Sequence, residues 1–97
     1  MLIYGFGSYF LSMKSYQDID LLIVHASISH ASCVKAINLK RLILKEVDDA
    51  SVTILSKCSE EDFNFIETSE AFLLVMVDEN EPCIEDVINK INRFRER

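Results

Sequence analysis

Residues 18–25 read DIDLLIVH, and five of the six residues before His25 are apolar. Ile and Val are among them, so this run predicts the strongest β-strand in the chain. Its head carries two acids one residue apart, Asp18 and Asp20. Residues two apart in a strand point to the same face, so the two carboxylates project together with Ile19 opposed. Burying a charge without a partner costs several kcal/mol. A strand that begins this way calls for a cation.

Around this strand the chain alternates. Residues 2–6 predict a short strand that ends at Gly7 and Ser8. Ser8 suits the N-cap of a short helix from Tyr9 to Met13, and residues 15–17 turn the chain back. A helix is expected over 31–46, with Val34, Ile37, Leu42 and Leu44 among its apolar positions and Lys35, Lys40, Arg41 and Lys45 on an exposed side. SVTIL (51–55) predicts a strand. Ser59 is the expected cap of a helix reaching Thr68, with Glu60, Glu61 and Asp62 at the positive end of its dipole. AFLLVMV (71–77) is read as a strand. After DENEP, a final helix is expected from Pro82 to Arg95, with Ile84, Val87, Ile88, Ile91 and Phe94 as its stripe. The order strand, helix, repeated four times, predicts a layered α/β (α+β) fold: a small mixed sheet with helices packed on it.

The 97 residues are enough for one small domain, residues 1–97, and one core. With 49% hydrophobic residues, two Gly and one Pro, the chain is expected to fold. It lacks an apolar window of about 20 residues, so no membrane span is expected. MLIYGFGS has neither the basic start nor the cleavage site of a signal peptide, which makes a cytoplasmic protein the expectation. Cys33, Cys58 and Cys83 are odd in number and widely spaced, which suggests neither a disulfide framework nor a zinc ribbon. His25, His30 and Cys33 fall across a strand end, a loop and a helix start with no fourth ligand, and are read as structural or exposed. The net charge of −6 argues against general nucleic-acid binding, which depends on neutralising phosphates. A metal–nucleotide complex brings its own positive charge.

Two carboxylates on one strand face repel each other, and a divalent cation between them removes that penalty. Mg2+ (or Mn2+) prefers such oxygen ligands alongside substrate phosphates. Upstream, Gly7 and Ser8 sit at a strand-to-helix junction, where free N–H groups and the helix dipole favour an anion. Glycine also lets backbone approach a phosphate closely. Together these pieces point to a nucleoside triphosphate with Mg2+: phosphates on Gly7 and Ser8, metal on Asp18 and Asp20.

GS, nine residues, then DID and an apolar run resembles the nucleotidyltransferase superfamily typified by DNA polymerase beta. The likeness is to its small members, often encoded beside a partner protein in toxin–antitoxin or defence operons. It covers residues 2–25 and, beyond them, only the element order. It implies phosphate binding by Gly7 and Ser8, with Asp18 and Asp20 as metal ligands and catalytic residues. The implied activity is transfer of a nucleoside monophosphate, AMP by expectation, from a nucleoside triphosphate to a hydroxyl of a protein or nucleic-acid acceptor.

Two departures bear on that activity. Many family members carry a glycine a few residues after the GS pair; here the stretch is YFLSMKS, with Ser12 near that place. The two-metal mechanism also takes a third carboxylate from the neighbouring strand. The matching position in DDASVTILS is Ser51, with Asp48 and Asp49 just before it. An earlier strand start or a bulge would bring one of these acids to the site; otherwise the base is missing. The alternative is therefore a catalytically degraded subunit acting as a binding or regulatory, antitoxin-like partner. Either way the domain is thin. A homo-oligomer or a protein partner is expected to complete its cleft, with an exposed edge strand at 71–77 as the docking surface.

Overall fold

The computed structural model describes residues 1–7, 10, 19–26, 29–81 and 83–95. The expected Ser8 cap, the Tyr9–Met13 helix apart from Phe10, the turn at 15–17, Asp18 and Pro82 lie outside the described residues. The described elements are β1 (Leu2–Phe6), β2 (Ile19–His25), α1 (His30–Glu46), β3 (Ala50–Ser56), α2 (Lys57–Phe63), α3 (Phe65–Ser69), β4 (Phe72–Met76) and α4 (Ile84–Arg95).

The four strands form one mixed sheet in the order β3-β2-β1-β4. β1 runs antiparallel to both neighbours, and β2 and β3 are parallel. The predicted strand at 71–77 is thus β4, an edge of the sheet. A register shift between Ile3 and Tyr4 leaves Leu74 as an extra residue on β4. Such a bulge bends the strand, and Leu74 joins the core.

β2 is interior on both of its faces. Ile19, Leu21 and Ile23 face the core with Ile3 and Val52, under Leu39 and Ile43 of α1 and Val87 and Ile91 of α4. Leu22 and Val24 are also buried. Their register partners are Tyr4 and Leu2, on the side covered by α2 and α3, where the Phe6 and Phe65 rings meet edge-on at 5.2 Å. A strand covered on both faces reads as a continuous apolar run rather than an alternating one, which is the pattern LLIV.

Gly5 owes its place to Phe10. A Cβ there would stand 2.9 Å from the Phe10 ring, which is buried against the sheet and edge-on to Phe72 at 5.6 Å.

α1 corrects one expectation. Its buried residues are Ser32, Ala36, Leu39 and Ile43, spaced four, three and four apart as a single helix stripe. Val34, Ile37, Leu42 and Leu44 are instead 38–43% exposed. The helix carries apolar residues on more than one side, and its neighbours β2, β3 and α4 cover only one.

The 59–68 helix is a second correction. Two helices occupy that region, and the cap is Ser56, whose hydroxyl accepts from the Ser59 N–H at 3.1 Å. Asn64 divides them in the left-handed conformation, φ 53° and ψ 41°. Asparagine tolerates that region better than most residues. Its N–H closes α2 on the Glu60 carbonyl at 2.7 Å, and its side chain donates to Glu67 at 2.9 Å. In α4, Val87 and Ile91 are fully buried, with Ile84 and Ile88 packed against the core. No helix of the described residues is long and apolar enough to cross a membrane.

The two faces of α1 give a direct test. Leu39→Ala is expected to lower the unfolding free energy by about 2–5 kcal/mol. Leu42→Ala is expected to lower it by about 0.5 kcal/mol or less. Urea unfolding of the two variants checks this; a larger loss at Leu42 would mean that the other face of α1 meets the sheet.

Candidate functional site

The head of β2 meets the end of β1. In their antiparallel register Phe6 lies opposite Asp20, and Gly7 follows immediately. Gly7 has φ +82°, in the region that favours glycine. Its missing side chain matters as much as its φ. A Cβ on Gly7 would collide with the Asp20 carboxylate Oδ2. Gly7 and the acid of β2 therefore meet at one spot, and a side chain at position 7 would have to displace the Asp20 carboxylate as well as adopt a positive φ.

On the other side of β2, the parallel register pairs Asp20 with Ser51 and Ile19 with Ala50. Register partners project to the same face of a sheet. The neutral hydroxyl of Ser51, exposed to solvent, is thus the side chain beside Asp20 on the next strand. β3 begins at Ala50, one residue earlier than expected. The Ile19 N–H donates to the Asp49 carbonyl at 2.8 Å, which ties Asp49 to the head of β2. Asp49 is half-buried, while Asp48 is exposed.

Of the residues singled out in the sequence, Gly7, Asp20, Asp49 and Ser51 thus gather around the ends of three adjacent strands. Ser8 and Asp18 lie outside the described residues. The Asp20 and Asp49 carboxylates and the Ser51 hydroxyl are all oxygen donors, a chemistry that fits a hard divalent cation such as Mg2+. Among the described residues no three His, Cys, Asp or Glu side chains come together as a metal site.

The remaining polar groups divide differently. His25 is buried, its Nδ1 3.0 Å from the Ser32 hydroxyl, so it anchors α1 to the end of β2. His30 is exposed and Cys33 half-buried. A cleft of about 330 Å³ opens at the far end of the sheet from Asp20, lined by Leu2, Tyr4, Val24, Lys57, Glu60 and Ile66 among others. Nothing in the sequence patterns pointed to it, because its residues come from four elements, β1, β2, α2 and α3. An aromatic was also missed: Phe63, at the end of α2, is 72% exposed. It lies two residues before Phe65, whose ring touches Phe6, the register partner of Asp20.

Compared with known protein families, curated proteins and solved structures, the chain matches none. The likeness of its GS and DID segments to nucleotidyltransferases therefore rests on those residues.

The shared spot can be tested by a double-mutant cycle. Gly7→Ala is expected to destabilise the protein by about 1–3 kcal/mol, from backbone strain and the collision with Asp20. In an Asp20→Ala background the cost should fall to about 1 kcal/mol, the strain alone. An equal cost in both backgrounds would show that the Asp20 carboxylate does not lie over Gly7.

Proposed function

We propose that the protein is a Mg2+-dependent nucleotidyltransferase that moves a nucleoside monophosphate, AMP by first choice, from a nucleoside triphosphate to a hydroxyl of a protein or nucleic-acid acceptor. The observation that carries this reading is the contact between Gly7 and Asp20. Gly7, at positive φ, lies against the Asp20 carboxylate, at the point where β1 ends beside the head of β2.

In this reading, backbone N–H groups at Gly7 and Ser8 hold phosphate oxygens, and glycine permits the close approach. Asp18 and Asp20 hold the cation. Mg2+ (or Mn2+), when bound, supplies the positive charge that offsets the triphosphate. The protein holds the acceptor hydroxyl in line with the α-phosphorus, which contributes through orientation. The hydroxyl oxygen bonds to that phosphorus as the bond to the pyrophosphate oxygen breaks. The reading gives Asp49 the task of taking the hydroxyl proton.

The pairing of Ser51 with Asp20 favours a second reading. Where the neighbouring strand would carry the third acid there is a neutral side chain. On that reading the chain keeps a nucleotidyltransferase fold and acts as a binding or regulatory, antitoxin-like subunit.

Transfer of label from α-labelled ATP, with Mg2+ or Mn2+, separates the two. The assay runs on the purified protein and in a lysate of the source cells, with wild type, Asp20→Asn and Ser51→Asp. Label on an acceptor with wild type, lost in Asp20→Asn, is the expected result. Label only with Ser51→Asp would move the assignment to the second reading. No label with any folded form would remove the transferase reading altogether.

A further inference from the structure

The helices on opposite faces of the sheet differ in charge, cations outnumbering acids in α1 and in α4 (whose acids are Glu85 and Asp86) and acids outnumbering cations in α2 and α3, and α1 and α2 each expose apolar surface. On one face, α1 holds Lys35, Lys40, Arg41 and Lys45 against the single acid Glu46. Its outward side carries Val34, Ile37 and Leu44, each 38–43% exposed. With Arg41 these residues fall at spacings of three, four and three, which makes them one stripe along the helix. On the other face, α2 and α3 hold Glu60, Glu61, Asp62 and Glu67 against the single cation Lys57. Phe63 stands among those acids, 72% exposed.

We infer that the α1 face of one copy of this chain docks on the α2–α3 face of a second copy. Phe63 would seat on the Val34, Ile37 and Leu44 stripe, with Glu61 and Asp62 opposite Arg41 and Lys45. Charge complementarity selects this occupant. Two α1 faces brought together would oppose cations, and two α2–α3 faces would oppose acids; only the unlike pairing satisfies both. Exposed aromatics flanked by charge are the anchors such contacts use. Because the two surfaces lie on opposite sides of the sheet, the contact is heterologous and continues from copy to copy instead of closing as a two-fold dimer. Ser51 and Asp20 project to the α2–α3 side. The docked neighbour therefore brings its α1 cations onto the side of the sheet that carries the acids.

Complementation tests the geometry independently of any nucleotide chemistry. Ile37→Glu disables one face and Phe63→Ser the other, both at exposed positions, with circular dichroism confirming the fold. Sedimentation over a concentration series should show wild type assembling beyond dimers, more weakly in high salt. Each variant alone should self-associate at least ~10-fold more weakly, the scale of an anchor residue. An equimolar mixture should form a dimer and stop there, because one intact face of each kind remains. A wild type that stays monomeric throughout, or a mixture no stronger than either variant alone, would overturn the proposal and leave the two faces to a different protein.

Discussion

The rest of the structure depends on β2 being interior in every direction. It is bonded to β1 on one side and β3 on the other, and Ile19, Leu21, Leu22 and Ile23 have no exposed surface. Alternate residues of a strand face opposite sides of the sheet, so this run obliges the chain to cover both. A chain of 97 residues does so unevenly. α1, of 17 residues, and α4, of 12, cover one face. Among the described residues the other is covered by α2 and α3, of seven and five residues. The thin side is where the cleft lined by Tyr4 and Ile66, the exposed Phe63 and the Asp20 carboxylate are found.

A strand buried on both faces tolerates charge only at its ends, because an unpaired ion inside costs several kcal/mol. Asp20 stands at the last position where β1 and β2 pair. One residue later Gly7, at positive φ, lies against the carboxylate. A residue with a side chain would be strained there twice, by φ and by contact. The Gly7–Asp20 contact and the positive φ account for glycine at this end of the sheet; at the His25 end a buried hydrogen bond to Ser32 ties α1 to the strand.

Strand positions were legible because β-branched runs are bounded by breakers: Gly7 closes β1, and Asp48 and Asp49 precede β3. The inward face of α1 was not legible. Val34, Ile37 and Leu44 make as regular a stripe as Ala36, Leu39 and Ile43. Small residues at 32 and 36 let the second stripe approach the sheet, a preference that only the tertiary neighbour reveals. Ser56 and Ser59 are equally good caps in isolation, and the length of β3 decides between them. Asn64 between Phe63 and Phe65 was the available sign of a break, since asparagine enters the left-handed region where most residues do not. At the site, Gly7 and Asp20 could each be named from the sequence. That they share one spot follows from the β1–β2 register, which the chain specifies through many weak side-chain preferences at once.

Net charge gives a similar lesson. A value of −6 describes a chain that repels polyanions as a whole. The value averages over a layer rich in Lys and Arg and a layer rich in Glu and Asp, on opposite sides of one sheet. Charges separated by more than about 8–10 Å of saline solution scarcely feel one another, so each face presents its own sign to whatever approaches it. The folding pattern, more than the composition, thus decides what the chain attracts. Helix order places the cations of α1 and the acids of α2 and α3 on opposite sides, because successive crossovers from β2 and β3 must cover both faces of the same buried strand.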